Sequence, residues 1–417
     1  MRGSVLVLAA SLVLAQTPAP EGIVFTSETM RNDGSDVQQI TDNPWEAGTP
    51  VWQPTTRASV RSAAQSAASP RRPSGGAAVR VRKSVAALSA TERRDFVDAV
   101  LALKAARSPH NPSLSYYDQF VQWHKERYVC RVDQPPPGTH TMPMVHTGPM
   151  FLPWHRELLN RFETALREVS GKDVTLPYWD WTDPGSIDPN NANAVFRDDF
   201  MGGDGSPDEQ YAVTTGPFKK GTWRLNVQPE GVTWASAATA YLSRHLGRPE
   251  TLPTRAQVEA VLAAEEYDAA PFNIESDPAK SFRNAIEGNG EGSAMRCGPD
   301  GWMAFESMLG VTPLTGSGPN TMHNLVHVWV AGIITPAAVR PRLRGTMFLS
   351  TSPNDPVFFL HHANVDRLWA EWQAAHPGKT YAPSTGHEGN NADSAMAPFG
   401  VSPRDVERVT AIGYRYR

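Results

Sequence analysis

The chain of 417 residues has only two cysteines, Cys130 and Cys297, and neither belongs to a Cys-x-x-Cys pair. A thiolate metal centre is therefore excluded, and so is a disulfide-stapled scaffold. The two thiols either pair as one bridge in an exported protein or stay separate. No HExxH, GxGxxG or phosphate-loop signature occurs, and no βαβ rhythm runs along the sequence. These absences argue against a zincin protease, a dinucleotide enzyme and a P-loop nucleotidase. No stretch offers 18 uninterrupted apolar residues, so no membrane span is expected. Net charge is −4, with no basic stripe to suit a nucleic acid. The arginines between Arg57 and Arg94 sit among Ser, Ala and Pro, where flexible surface is the plain reading.

What is present is a soluble globular composition, 40% hydrophobic and 20% charged. The segment 1–15 reads as a secretory signal peptide: Arg2, an apolar run from Val5 to Leu14, then small residues before a cut. A secreted or periplasmic location follows as an expectation. Residues 16–56 read as an N-terminal arm. Residues 57–80, rich in Ser, Ala, Pro and Gly, read as a flexible linker or pro-segment. Residues 81–417 form the expected main domain, with no internal repeat beyond two histidine-bearing helix pairs.

Helical signals dominate that domain. Ser89 and Glu92 have capping-box spacing, ahead of Phe96, Val97 and Val100. Tyr117, Phe120, Val121 and His124 share one face of a helix expected over 114–128. A third helix is expected from near Pro153, carrying His155, Leu158, Leu159 and Phe162. Residues 182–300 read as long loops with helical fragments at 254–264 and 281–287. Further helices are expected over 320–330 and 356–373, and Leu176–Trp181 reads as a short extended piece.

Histidines give the domain its chemistry. His323 and His327 stand four apart, on one helix face and within reach of a common ion. His362, on the next helix, can supply a third nitrogen. An earlier set comprises His124, His146 and His155. Two all-imidazole triads with open positions suit zinc, copper, iron or nickel. The lack of a bridging carboxylate argues against hydrolytic two-metal sites and di-iron centres. Asp366, one turn beyond His362, either accepts a proton from a ligand imidazole or serves local structure by capping or by pairing with Arg367.

The segments His146–Glu163, HTGPMFLPWHRELLNRFE, and Asp355–Trp369, DPVFFLHHANVDRLW, resemble the two copper signatures of the tyrosinase and polyphenol oxidase family. Met322–Trp329 and Tyr117–His124 match its remaining ligand helices, and the resemblance, bacterial-like, spans residues 81–416. It implies a mostly α domain in which a central four-helix bundle holds a dicopper site, with long loops and few short strands. By the match, one copper (CuA) is held by His124, His146 and His155. The other (CuB) is held by His323, His327 and His362, leaving His361 as a neighbour. Dioxygen would be the co-substrate and small phenols or catechols the substrates.

The resemblance also implies that Asn324, with an upstream glutamate for which Glu306 is the candidate, orients a water that deprotonates monophenols. Plain readings are a loop hydrogen bond for Asn324 and a solvated carboxylate for Glu306. Phe348, Leu349 and Val328 match the pocket entrance, where core packing is the plain alternative. Met144 stands two before His146, so the cysteine–histidine thioether of many fungal and plant members is expected to be absent. Tyr414 and Tyr416 would close the domain. With only Arg417 after them, the expectation is that the N-terminal arm shields the site, that a helper protein loads copper, or that neither does. The expected activity is o-hydroxylation of monophenols and oxidation of o-diphenols to o-quinones. An o-diphenol or o-aminophenol oxidase, or a haemocyanin-like oxygen carrier, would use the same ligands.

Overall fold

The computed structural model describes residues 79–127, 145–228, 241–248, 251–288, 322–334 and 344–417, together with short strands at 23–25, 28–30, 38–39, 51–52, 295–297 and 303–305. Residues Met1–Gln65 and Ser66–Arg417 form separate compact units. In the first, the strands order as 38–39, 28–30, 23–25 and 51–52, all antiparallel. The expected signal peptide, most of the linker, Cys130 and Glu306 lie outside the described residues.

The second unit is mostly helical, as its sequence signals require. Helix α1, Ala90–Ala105, opens with the expected capping box between Ser89 and Glu92. Helix α2, Tyr116–Glu126, is capped by the Ser115 side chain. Helix α3, Phe151–Ser170, begins two residues before Pro153 and ends on Gly171 at φ 65°, where a side chain would be strained. Helix α4, Arg255–Leu262, carries a second capping box from Thr254 and Gln257. Three more follow: α5 (Phe282–Glu287), α6 (Met322–Ala331) and α7 (Val357–Ala375). A last turn, α8, spans Pro403–Val406. Among the described residues, strands are few and three residues long at most.

Helix α3 packs against α1, α2 and α7, and α6 packs against α5 and α7. The four ligand-bearing helices α2, α3, α6 and α7 thus surround one core. Phe162 of α3 and Phe359 of α7 stack with centroids 3.5 Å apart and planes 4° from parallel. Tyr117 and Phe120 meet both rings edge-on. Each such fully buried side chain contributes about 1.5–3 kcal/mol through lost water contact.

Two strands near the limits of the described residues of this unit meet. Strand Tyr414–Tyr416 pairs in parallel with strand Arg80–Arg82. Beneath it, Glu163 binds Arg82 at 2.6 Å and Arg80 at 2.8 Å, and the Arg82 guanidinium lies 3.6 Å from the Tyr414 ring centroid. Leu176–Trp181 is extended only locally, through a bridge of Tyr178 to Ser84.

Candidate metal centre

Two histidine clusters converge in the bundle: His124, His146 and His155, and His323, His327, His361 and His362. Within each cluster the candidate ligand nitrogens all lie within 4.8 Å of one another. Helices α2 and α3 present His124 and His155, and the loop before α3 presents His146. Helix α6 offers His323 and His327 from one face, and α7 offers His362. The sites face each other where α3 meets α7: the rings of His155 and His362 stack 4.4 Å apart, 17° from parallel.

Hydrogen bonds fix which nitrogen four of the six rings offer. His124 Nδ1 donates to the Ser350 carbonyl at 2.7 Å, His155 Nδ1 to Phe151 at 2.8 Å, and His327 Nδ1 to Met347 at 2.6 Å. His323 Nδ1 lies 3.0 Å from Asn324 Oδ1 and 3.3 Å from the Glu287 carbonyl. With Nδ1 protonated, Nε2 carries the lone pair that a metal takes. The orientation comes chiefly from main-chain carbonyls, which no residue-type pattern reveals.

The Nε2 atoms then crowd together. That of His362 lies 3.1 Å from His323 Nε2 and 3.2 Å from His327 Nε2. Lone pairs aimed at one another repel unless a cation lies between them. Ligand bonds of about 2.0–2.1 Å place nitrogens around one ion about 3.3–3.5 Å apart, close to this spacing. His155 Nε2 is likewise buried without a hydrogen-bond partner among the described residues. Burial holds all six rings in the neutral, ligating form: it pushes His155 down to about 3 and His327 to about 4. Burial, aided by neighbouring imidazoles, takes His124, His146, His323 and His362 well below the usual histidine value. The donor set therefore fits two metal ions with nitrogen ligands, and copper is the redox metal that such ligation suits.

The surroundings differ from the sequence expectation at Asp366. Asp366 touches no ligand histidine and does not pair with Arg367. It binds Arg156 Nε at 2.5 Å and Arg82 Nη1 at 3.4 Å, and it accepts the hydroxyls of Tyr414 and Tyr416. Two buried guanidiniums claim the carboxylate. Among the described residues, Glu287, the last residue of α5, reaches the histidine cluster through its backbone carbonyl, 3.3 Å from His323 Nδ1. Its carboxylate accepts the Thr147 backbone N–H and binds Arg283 at 3.3 Å. Burial raises this carboxyl to about 7, against the pull of Arg283 and Thr147. The helix Phe282–Glu287 was legible, but 35 residues separate Glu287 from His323, and Glu306, the upstream glutamate offered by the resemblance, lies outside the described residues.

His361 stacks on His323, 5.0 Å away and 15° from parallel, beside Trp181. Phe348 and Leu349 are half-buried between the carbonyls of Met347 and Ser350 that hold His327 and His124. Val328 is fully buried on α6. Among the described residues, no helix is long and apolar enough to cross a membrane.

Comparison with known proteins agrees with this geometry. The common central domain of tyrosinase matches residues 114–375, more than half of the chain. A tyrosinase from Streptomyces glaucescens is 41% identical over 337 residues, covering 79% of this chain and 97% of the relative. The grixazone synthase of Streptomyces griseus is 36% identical over 313 residues, covering 72% and 86%. In fold, a polyphenol oxidase from Thermothelomyces thermophila superposes with TM-score 0.52 at 22% identity, covering 81% of this chain and 89% of that one. With paired histidine clusters on bundled helices and these likenesses together, the chain belongs to the tyrosinase and polyphenol oxidase family of type 3 copper proteins.

Proposed function

We propose that the protein uses dioxygen both to o-hydroxylate monophenols and to oxidise o-diphenols to o-quinones. Copper-dependent oxidation of phenols or catechols is the activity of its family. The observation that carries the reading is the His155–His362 stack, which sets the two imidazole triads face to face. Copper held by His124, His146 and His155 and by His323, His327 and His362 would supply the redox couple and the dioxygen chemistry.

The protein's own part is orientation and proton handling. The carbonyls of Ser350, Phe151 and Met347 fix ring direction, and Phe151 and Phe358 pack against the ligand rings and keep water away. Asn324 and Glu287 support the monophenolase half of the reading. A carboxyl poised at about 7 is matched to taking the phenol proton through a water near neutral pH. A catechol needs less of this help, so the two activities separate at Glu287.

The same six imidazoles also permit a second reading, an o-diphenol or o-aminophenol oxidase. Initial rates with tyramine, L-DOPA and o-aminophenol, at matched copper content, decide between them. Turnover of tyramine supports the first reading. Turnover of the other two alone replaces it with the second, and reversible oxygen binding without turnover would point to a carrier. The apolar run Val5–Leu14 supports export, with copper loading by a helper protein as part of the same proposal. N-terminal mass analysis of secreted material and copper loading of purified protein alone test these points.

A further inference from the structure

His146 is the one CuA ligand that no helix carries. The residue after it, Thr147, has φ 60°, a left-handed conformation that a β-branched residue rarely adopts. Something must hold the loop there. The Thr147 N–H donates to Glu287 Oε1, and the hydroxyl of Tyr267 donates to the Pro149 carbonyl at 2.6 Å. Glu287 is itself anchored. Arg283 binds its other oxygen and is fixed in turn by Asp268, at 2.8 Å from Nε and 3.0 Å from Nη2. All three residues of this chain are buried. The same Glu287 offers its backbone carbonyl to His323 Nδ1, so one residue touches a ligand of CuB and the support of a ligand of CuA.

We propose that Glu287 is a positioning residue for the CuA site: by accepting the Thr147 N–H, its carboxylate fixes the loop that presents His146. This rests on the reading of His146 as a copper ligand, and it is separate from any role of Glu287 toward a phenol proton. The clamp requires an acceptor oxygen at the right reach. The proton role requires a basic carboxylate.

Two substitutions separate these requirements. Glu287→Gln keeps the reach and an acceptor oxygen but loses the base. Glu287→Asp keeps the charge opposite Arg283 but withdraws the acceptor by one methylene. Copper release from the loaded full-length protein into a chelator is followed alongside near-ultraviolet circular dichroism. The spin signal of any copper left without its magnetic partner is recorded as well. The clamp predicts that Glu287→Asp sheds one of its two coppers faster, on the order of 10- to 100-fold, leaving the other visible by electron paramagnetic resonance. Glu287→Gln should hold both coppers near the wild-type rate although its tyramine turnover falls. Wild-type copper retention in Glu287→Asp, or equal loss in both variants, would overturn the proposal. If either variant is not native by circular dichroism, Thr147→Gly supplies the answer. That change makes the left-handed backbone intrinsically accessible, so the double variants should regain both native circular dichroism and the copper retention that the single residue-287 variants lose. Failure to regain them would overturn the clamp. A wild-type protein that binds no copper would sink the metal reading instead.

Discussion

The Tyr414 hydroxyl donates to Asp366 Oδ2 at 2.6 Å, one helical turn beyond His362. Tyr416 donates to the same oxygen at 2.5 Å, and Arg156 holds the other oxygen of the carboxylate. The last strand is thereby fastened to the helix that presents a copper ligand, with Arg82 of its partner strand Arg80–Arg82 in the same cluster.

Removing that carboxylate should be costly. Asp366→Asn leaves Arg82 and Arg156 buried with less compensating charge, and breaking such a pair costs about 3–5 kcal/mol. Urea unfolding of the copper-free protein measures it, and a change below 1 kcal/mol would contradict the assignment. Burial alone would raise the Asp366 carboxyl, but Arg156, Arg82 and the two tyrosines outweigh it and lower the value below 3.8. Stability from this group is therefore full above the ordinary aspartate range. It is lost as pH falls through the lowered native value, and the loss should be absent in Asp366→Asn.

The ligand histidines give a different pH signature. Their native values lie below the unfolded one, with His155 at about 3 and His327 at about 4. The unfolded chain binds more protons as the pH drops below 6.5, so the copper-free protein should lose stability progressively from there downward. At pH 7 the folded rings are already neutral, and copper should displace almost no protons from them. Titration calorimetry in buffers of different ionisation enthalpy checks this. A release approaching one proton per ring would be the contrary result.

His327→Ala removes one of three CuB nitrogens and should leave a single tightly held copper, with catechol oxidation falling by several orders of magnitude. Elemental analysis together with the optical spectrum of the oxygenated protein is the measurement. Unchanged copper content would rule out the CuB assignment.

Phe359→Ala deletes the ring stacked on Phe162 and should destabilise the fold by about 3–5 kcal/mol. Because α3 and α7 carry His155 and His362, copper affinity should drop along with stability although no ligand is changed. Stability loss with wild-type copper affinity would show that the two helices keep their spacing without this pair.

Much of this was legible from local pattern. The Ser89–Glu92 and Thr254–Gln257 capping boxes and the i,i+4 pair His323–His327 are short-range features, and each appears where its residues require. The role of Asp366 was not legible, because its partners Arg82 and Arg156 lie 284 and 210 positions away. Only the folded chain brings them together, whereas Arg367 and His362 were visible as neighbours. Glu287 was hidden by the long segment between it and His323. Its partner Thr147 is 140 positions distant. The carbonyls that orient the rings belong to Ser350, Phe151 and Met347, whose side chains carry no hint of that duty.

The His155–His362 and Phe162–Phe359 pairs join the same two helices at successive levels, running in opposite chain directions. Hydrocarbon packing thus acts as the calliper of the inorganic centre. Resizing a phenylalanine that is itself no metal ligand becomes a way to tune colour and reactivity without changing any histidine.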